Sequence, residues 1–162
     1  MHWKPASSFN LGLWLAVLLP GSHSTALPRQ DPLQQCLSAV GVPLDAQGSQ
    51  AWREDVAPFN ERLPYQPAAI AVPRSIGHIQ AAIFCARQAG VKVTPKSGGH
   101  SYASLGLGGE NGHLVIELDR MDEVTLRQDN TAVIQAGARL GHIAAELWQQ
   151  GRRAMPHGTC PG

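Results

Sequence analysis

Charge of one sign is never concentrated in this chain. Its 13 Lys and Arg and 12 Asp and Glu are scattered over 162 residues for a formal net charge of +1. Nucleic acids and anionic membrane surfaces are held by clustered cations that displace counterions, so neither is expected as a partner. Long apolar runs are missing too. The most hydrophobic stretch, Leu11 to Leu19, covers nine residues, against the roughly 20 needed to cross a bilayer. Metal-site spacings are absent: His78, His113, His142 and His157 form no HExxH, zinc-finger or CxxC pattern, so no metal site is expected. Ser101 lacks the G-x-S-x-G elbow of a hydrolase nucleophile. No internal repeat is present. Aromatic residues make up only 6% of the chain, whereas Gly (17) and Pro (12) are plentiful, which suits short strands and helices joined by shaped loops.

The length suits one ordinary domain with a sizeable core. Residues 1–26 are set apart from it. Lys4 gives a positive start, Leu11–Leu19 an apolar centre, and Pro20-Gly21 a break before the small residues Ser22, Ser24 and Ala26, the layout of a secretory signal peptide. A secreted, extracellular protein is therefore expected.

Export favours cysteine pairing, and three cysteines leave one over. Cys36 and Cys85 sit in ordinary surroundings, while Cys160 lies in the glycine-rich His157-Gly-Thr-Cys-Pro-Gly162. A Cys36–Cys85 disulfide is expected. Two buried free thiols, or a bond from Cys160 to one of the others, are the alternatives.

Residues 27–64 read as a lead-in segment with a short helix near Pro32–Val40 and a polar, proline-interrupted connection. Residues 65–162 are regular. Ala69–Val72 reads as a strand, and Ser75 caps a helix that runs to Ala89 and stops at Gly90. Its stripe Ile76, Ile79, Ile83 and Ala86 is expected to face a sheet, with Cys85 on roughly the opposite side. Val91–Pro95 and His113–Leu118 read as strands, and Glu123–Arg127 with Thr131–Ala136 as a hairpin about Asp129-Asn130. A last helix, Leu140–Gln150, carries the stripe Leu140, Ile143, Ala144 and Leu147 and ends at Gly151. This order predicts an α+β fold of mixed small sheets packed by helices, rather than a doubly wound one. The abrupt stop at Gly162, just after a turn-rich loop, is expected of a fragment.

Chemistry concentrates after the second strand. In Lys96-Ser97-Gly98-Gly99-His100-Ser101 the paired glycines let backbone N–H groups converge on an anion, with Lys96 adding charge and Ser101 a hydroxyl. A pyrophosphate needs such a loop, yet the pattern differs from the Rossmann and Walker fingerprints, and a Gly-Gly pair alone also marks an ordinary turn.

Taken together, Ser97-Gly-Gly-His-Ser-Tyr102, Ala136-Gly-Ala-Arg-Leu-Gly141 and His157-Gly-Thr-Cys-Pro-Gly162 resemble the FAD-linked oxidases of the vanillyl-alcohol oxidase and p-cresol methylhydroxylase (PCMH) superfamily. The resemblance is greatest to the berberine-bridge-enzyme-like branch and its fungal glucooligosaccharide oxidases, and it covers about Pro64 to Gly162. It implies a PCMH-type FAD-binding domain, incomplete at its C-terminus, with Lys96, Ser97, Gly98, Gly99, His100, Ser101, Gly158, Thr159 and Cys160 around the cofactor. It further implies two covalent links to FAD, from His100 to the 8α carbon and from Cys160 to ring carbon C6, which suit a neutral imidazole and a thiolate as nucleophiles. His157 is a neighbour able to favour that thiolate. The implied activity is hydride transfer from a sugar or alcohol C–H to flavin, with dioxygen reduced to peroxide by a monomeric enzyme. Oxidation of secondary metabolites, or an inactive flavin-binding module, are the alternatives. The catalytic base is expected beyond residue 162, so no catalytic residue is named.

Overall fold

The computed structural model describes residues 31–159; the signal-peptide reading of residues 1–26 and the position of Cys160 lie outside them. Two units of secondary structure are built in sequence. The first contains helices α1 (Pro32–Ala39), α2 (Gln50–Asp55) and α3 (Ile76–Ala89) and strands β1 (Ala69–Ala71), β2 (Val93–Lys96) and β3 (Leu114–Glu117). The second contains the antiparallel hairpin β4 (Val124–Leu126) and β5 (Ala132–Ile134) with helix α4 (Leu140–Gly151). A parallel three-stranded sheet beside a separate hairpin is an α+β arrangement.

In the first sheet β3 lies between β1 and β2, parallel to both. Such strands are covered on both faces and so read as unbroken apolar runs. Ala69, Ala71, Leu114 and Ile116 pack against Leu33, Leu37, Ala82, Cys85 and Ala86 of α1 and α3. The alternate residues Ile70 and Val115 face the other way, onto Trp52 of α2 and Leu107 of the 3₁₀ turn Leu105–Leu107. The lead-in segment is thus part of the core. It also follows the edge of β1, where Asp45 N–H donates to Ile70 O (3.1 Å) and Val72 N–H to Pro43 O (2.9 Å).

Local chemistry explains the helix ends. Asp31, Ser49 and Ser75 cap α1, α2 and α3 by accepting from Leu33, Trp52 and His78 N–H groups. Gly90 closes α3 in the left-handed conformation, φ +67°. Several expectations are corrected. α2 forms within the stretch read as a plain connection, because Ser49 caps it and Trp52 is buried. Strand β2 starts at Val93, not Val91, since Val91 N–H still donates to Ala86 O in the helix closure. In α4, Ala144 is exposed although it was placed on the packed stripe, and the helix includes Gly151 and closes on Arg152 at φ +51°. A Cβ on Gly151 would lie 2.4 Å from Leu126 Cδ2, so any larger residue there displaces the end of that side chain.

The largest correction concerns α3. Ile76 and Ile83 are 68% and 47% exposed, while Ala82, Cys85 and Ala86 are buried. The inward face is rotated by about one residue, or roughly 100°. The small side chains let α1 and the sheet both approach the helix, and Cys85 lies in that contact instead of opposite it. There it is bonded to Cys36, with the two Cα atoms 5.6 Å apart.

The disulfide closes a loop of 49 residues, which corresponds to about 4 kcal/mol of denatured-state restriction. A Cys36→Ser, Cys85→Ser double variant of the complete protein should lower stability by roughly 2–5 kcal/mol in denaturant titrations. An unchanged midpoint would show that α1 and α3 are held by packing alone.

Candidate cofactor site

β2 runs straight into the glycine loop, and pleating then separates neighbouring residues. Lys96 is paired in register with Glu117 on β3; its Nζ contacts the Glu117 carboxylate and lies 3.4 Å from Asp55 Oδ1. The Lys96 side chain is only 11% exposed and the Glu117 side chain 1%. Ser97 points the other way, and its hydroxyl donates to Ala136 O at 2.6 Å. The structure therefore commits Lys96 to buried carboxylates and not to the loop cavity.

That cavity, of about 550 Å³, is lined by Ser97, Gly98, Gly99, His100 and Ser101, by Ala138, Arg139 and Leu140, and by Gly158 and Thr159. Seven of the expected site residues meet there. Cys160 is outside the described residues but follows Thr159 directly in sequence. Gly99 has φ +70°, a conformation that glycine adopts without steric cost. The Gly98 to Ser101 amides donate to no backbone carbonyl among the described residues. Ser101 Oγ accepts from Leu105 N–H (3.2 Å) and fixes the outgoing turn. His157 is exposed, with Nδ1 2.6 Å from Gly158 O.

Arg139 takes the position that sequence reasoning gave to Lys96. Among the described residues it is the one Lys or Arg lining this cavity, with Nη1 3.4 Å from Ser97 Oγ. A Cβ on Gly98 would sit 3.3 Å from the same nitrogen. The signal lay in Ala136-Gly-Ala-Arg139, but its meaning depends on Gly137. A Cβ there would fall 1.7 Å from Leu118 O, and Gly137 N–H donates to Met121 O at 2.9 Å. Only glycine lets this segment pass so near the end of β3, which delivers Arg139 and the start of α4 beside the His100 loop. Arg139 is also the α4 N-cap and makes no side-chain cap bond, so the positive end of the helix opens on the same side.

Its groups suit an anion with an extended organic group: free amides, a guanidinium, a helix start and an open apolar flank. Among the described residues no cluster of three or more His, Cys, Asp or Glu could hold a metal ion. A family model described as an FAD binding domain matches residues 67–162, which include the whole cavity lining. The chain belongs to that family. It is 57% identical over 142 residues to the chitooligosaccharide oxidase of Gibberella zeae, a match covering 87% of this chain and 29% of that protein. With the xylooligosaccharide oxidase of Thermothelomyces thermophilus the identity is 54% over 148 residues, covering 91% and 30%. A solved structure of glucooligosaccharide oxidase from Acremonium strictum, which carries 6-S-cysteinyl, 8α-N1-histidyl FAD, superposes with a TM-score of 0.78 at 51% identity, covering 80% of this chain and 27% of that one. The chain thus spans under a third of the length of these relatives. Family membership agrees with the α+β, PCMH-type reading, and the glycine cradle fits a dinucleotide pyrophosphate on its own geometry.

Behind the loop, Lys96 is outnumbered by Asp45, Asp55, Glu117 and Asp119. Burial, then the Asp55 carboxyl beside it, pushes Asp45 up to about 7. Burial likewise raises Glu117, against the opposing pull of Lys96. Asp45 Oδ2, Glu117 Oε1 and Asp119 Oδ1 are buried without a hydrogen-bond partner among the described residues.

Two predictions follow from this geometry. Gly137→Ala should destabilise the complete protein by about 3 kcal/mol or more, because backbone must move, and a wild-type melting temperature would refute the close pass. Asp45 holds its proton more tightly folded than unfolded, so its stabilising effect is full below about pH 4 and is lost as pH rises through about 7. Asp45→Asn should therefore reduce the loss of melting temperature between pH 5 and 8; parallel curves for the two proteins would exclude a half-buried Asp45 that holds its proton.

Proposed function

We propose that the complete protein is a secreted, FAD-dependent carbohydrate oxidase that holds its flavin through both His100 and Cys160. One observation carries the reading: residues from three sequence motifs spread over positions 97–162 line a single cavity whose groups suit a flavin dinucleotide. The names of the relatives, chitooligosaccharide and xylooligosaccharide oxidase, support an oligosaccharide substrate; the family resemblance implies oxidation at its anomeric C–H to a lactone. The leader-like residues 1–26 and the Cys36–Cys85 bond support export.

Each chain residue has a definable task. The Gly98–Ser101 amides and Arg139 hold the pyrophosphate and offset its charge. His100 and Cys160 tether the ring from two sides, which keeps it in place while the groove stays open to a bulky substrate. Gly158 and Thr159 line the cavity, and Cys160 is the next residue in sequence. When bound, the flavin supplies a hydride acceptor and a route for the electron pair to dioxygen, with hydrogen peroxide as product.

The test uses the complete protein. Acid precipitation should leave yellow flavin with the wild-type pellet and release most of it from a His100→Ala, Cys160→Ala double variant, while each single variant keeps a link through the other residue. Peptide mass spectra without the added cofactor mass on either residue would defeat the bicovalent assignment. Peroxide formation on chito-, xylo- and gluco-oligosaccharides, measured beside an alkaloid panel, then tests the substrate class.

A further inference from the structure

An aromatic neighbour of His100 lies outside both the glycine loop and the matched FAD-binding region. His100 is exposed, and its ring makes no hydrogen bond to any described residue. An imidazole in that position is free to rotate, whereas a nucleophile that bonds one particular carbon must be held near its line of attack. The neighbour available is Phe59. Its ring centroid is 5.3 Å from that of His100 with 33° between the planes, within the range of favourable aromatic pairs.

Phe59, 53% exposed, has a second ring partner. Tyr102 meets it edge-on at 5.4 Å and 86°, and Asn60 Nδ2 donates to Tyr102 O at 2.8 Å. Asn60 Oδ1 accepts from Arg62 N–H (3.2 Å), and Asn60 O from Leu63 N–H (3.0 Å). The 59–63 turn is thus tied to the loop by one side-chain hydrogen bond and two ring contacts. His100 and Tyr102, two positions apart, both touch the same phenyl ring. The segment precedes the family match, which starts at residue 67.

We infer that Phe59 is a positioning residue for covalent attachment of flavin at His100, with Asn60 and Tyr102 holding it in place. The inference rests on the proposed function. In the attachment, one imidazole nitrogen exchanges its hydrogen for a bond to the flavin 8α carbon. That hydrogen, one from the 8α methyl group and the electron pair pass to the flavin ring and are removed by dioxygen as peroxide. Phe59 takes no part in the bond changes. It restricts the imidazole to orientations in which the nitrogen faces the cavity.

The experiment follows attachment in time. Complete protein carrying Cys160→Ala, so that only the His100 link is counted, is prepared free of flavin and mixed with FAD, and the flavin on the His100 peptide is quantified by mass spectrometry. Phe59→Ala and Phe59→Leu should slow attachment roughly three- to tenfold, the rate equivalent of one lost aromatic pair, and Phe59→Tyr should restore it. Non-covalent FAD binding, read by quenching of flavin fluorescence before attachment, should be unchanged in all three. Attachment by Phe59→Leu at the rate of the unsubstituted ring overturns the inference, even where the alanine variant fails to fold. So does weakened FAD binding that accounts for the whole slowing. A different result, no flavin on the His100 peptide when Phe59 is intact, overturns the covalent-link reading itself and the inference with it.

Discussion

The site is organised by a close pass of main chain against main chain. Past β3, Met121 N–H returns to Leu118 O, and Gly137 N–H donates to Met121 O, so the end of the parallel sheet and the end of the hairpin are joined by consecutive backbone hydrogen bonds. Gly137 fits beneath the Leu118 carbonyl only because it has no side chain. A second link, from Ser97 Oγ to Ala136 O, ties the same segment to the start of the glycine loop. With both ends secured, the relative position of His100, Arg139 and the first turn of α4 is set by short, directional bonds and not by side-chain packing. Such a frame holds an anion cradle that is otherwise open to solvent.

The same strand serves a second purpose on its other face. Lys96 and Ser97 are adjacent, yet one joins a buried carboxylate group and the other a cavity wall. Burial of Glu117 without Lys96 would leave a desolvated charge costing several kcal/mol, or force it to bind a proton. Lys96 and Glu117 are cross-strand partners, so their pairing also supports the register that aims β2 at the cavity. The excess of carboxylates there keeps negative charge on the far side of β2 from the cradle, and Arg139 alone carries the compensating charge on the near side.

How much of this was legible in the sequence depends on the range of the interaction concerned. Ser75 and Gly90 announced the ends of α3, and Asp129-Asn130 the hairpin, because caps and turns are decided by residues within a few positions. The doubly buried strands showed as apolar runs, and the three loop motifs could be read together. The inward face of α3 could not. Isoleucines advertise burial, but the face was settled by Ala82, Cys85 and Ala86, whose small size allows α1 and the sheet to come close. Lys96 was misdirected for a related reason: which face of β2 it takes is decided by the carboxylate it meets across the sheet, Glu117 on β3, a contact made 21 positions away in sequence. Arg139 and Phe59 reach the site only through Gly137 and the Asn60 tether, contacts that no local pattern encodes.

These long-range placements bear on how a cofactor is held. Two phosphate charges exceed what one guanidinium can offset in a site open to water, where each ion pair is weakened by screening. The amides of Gly98 to Ser101 and the start of α4 must share the load, and each contributes only while its backbone stays in place. Affinity for the anion is therefore bound to the rigidity of a loop rich in glycine, a residue that loses more freedom than any other on being ordered. The ties from Ser97, Ser101 and Asn60 reduce that loss before a ligand arrives. Covalent anchorage answers the same problem differently, since a ring bonded to the protein cannot leave when the cradle loosens. Under the proposed function, a preorganised loop and a tethered cofactor would together permit a solvent-open groove for substrates too large to be enclosed.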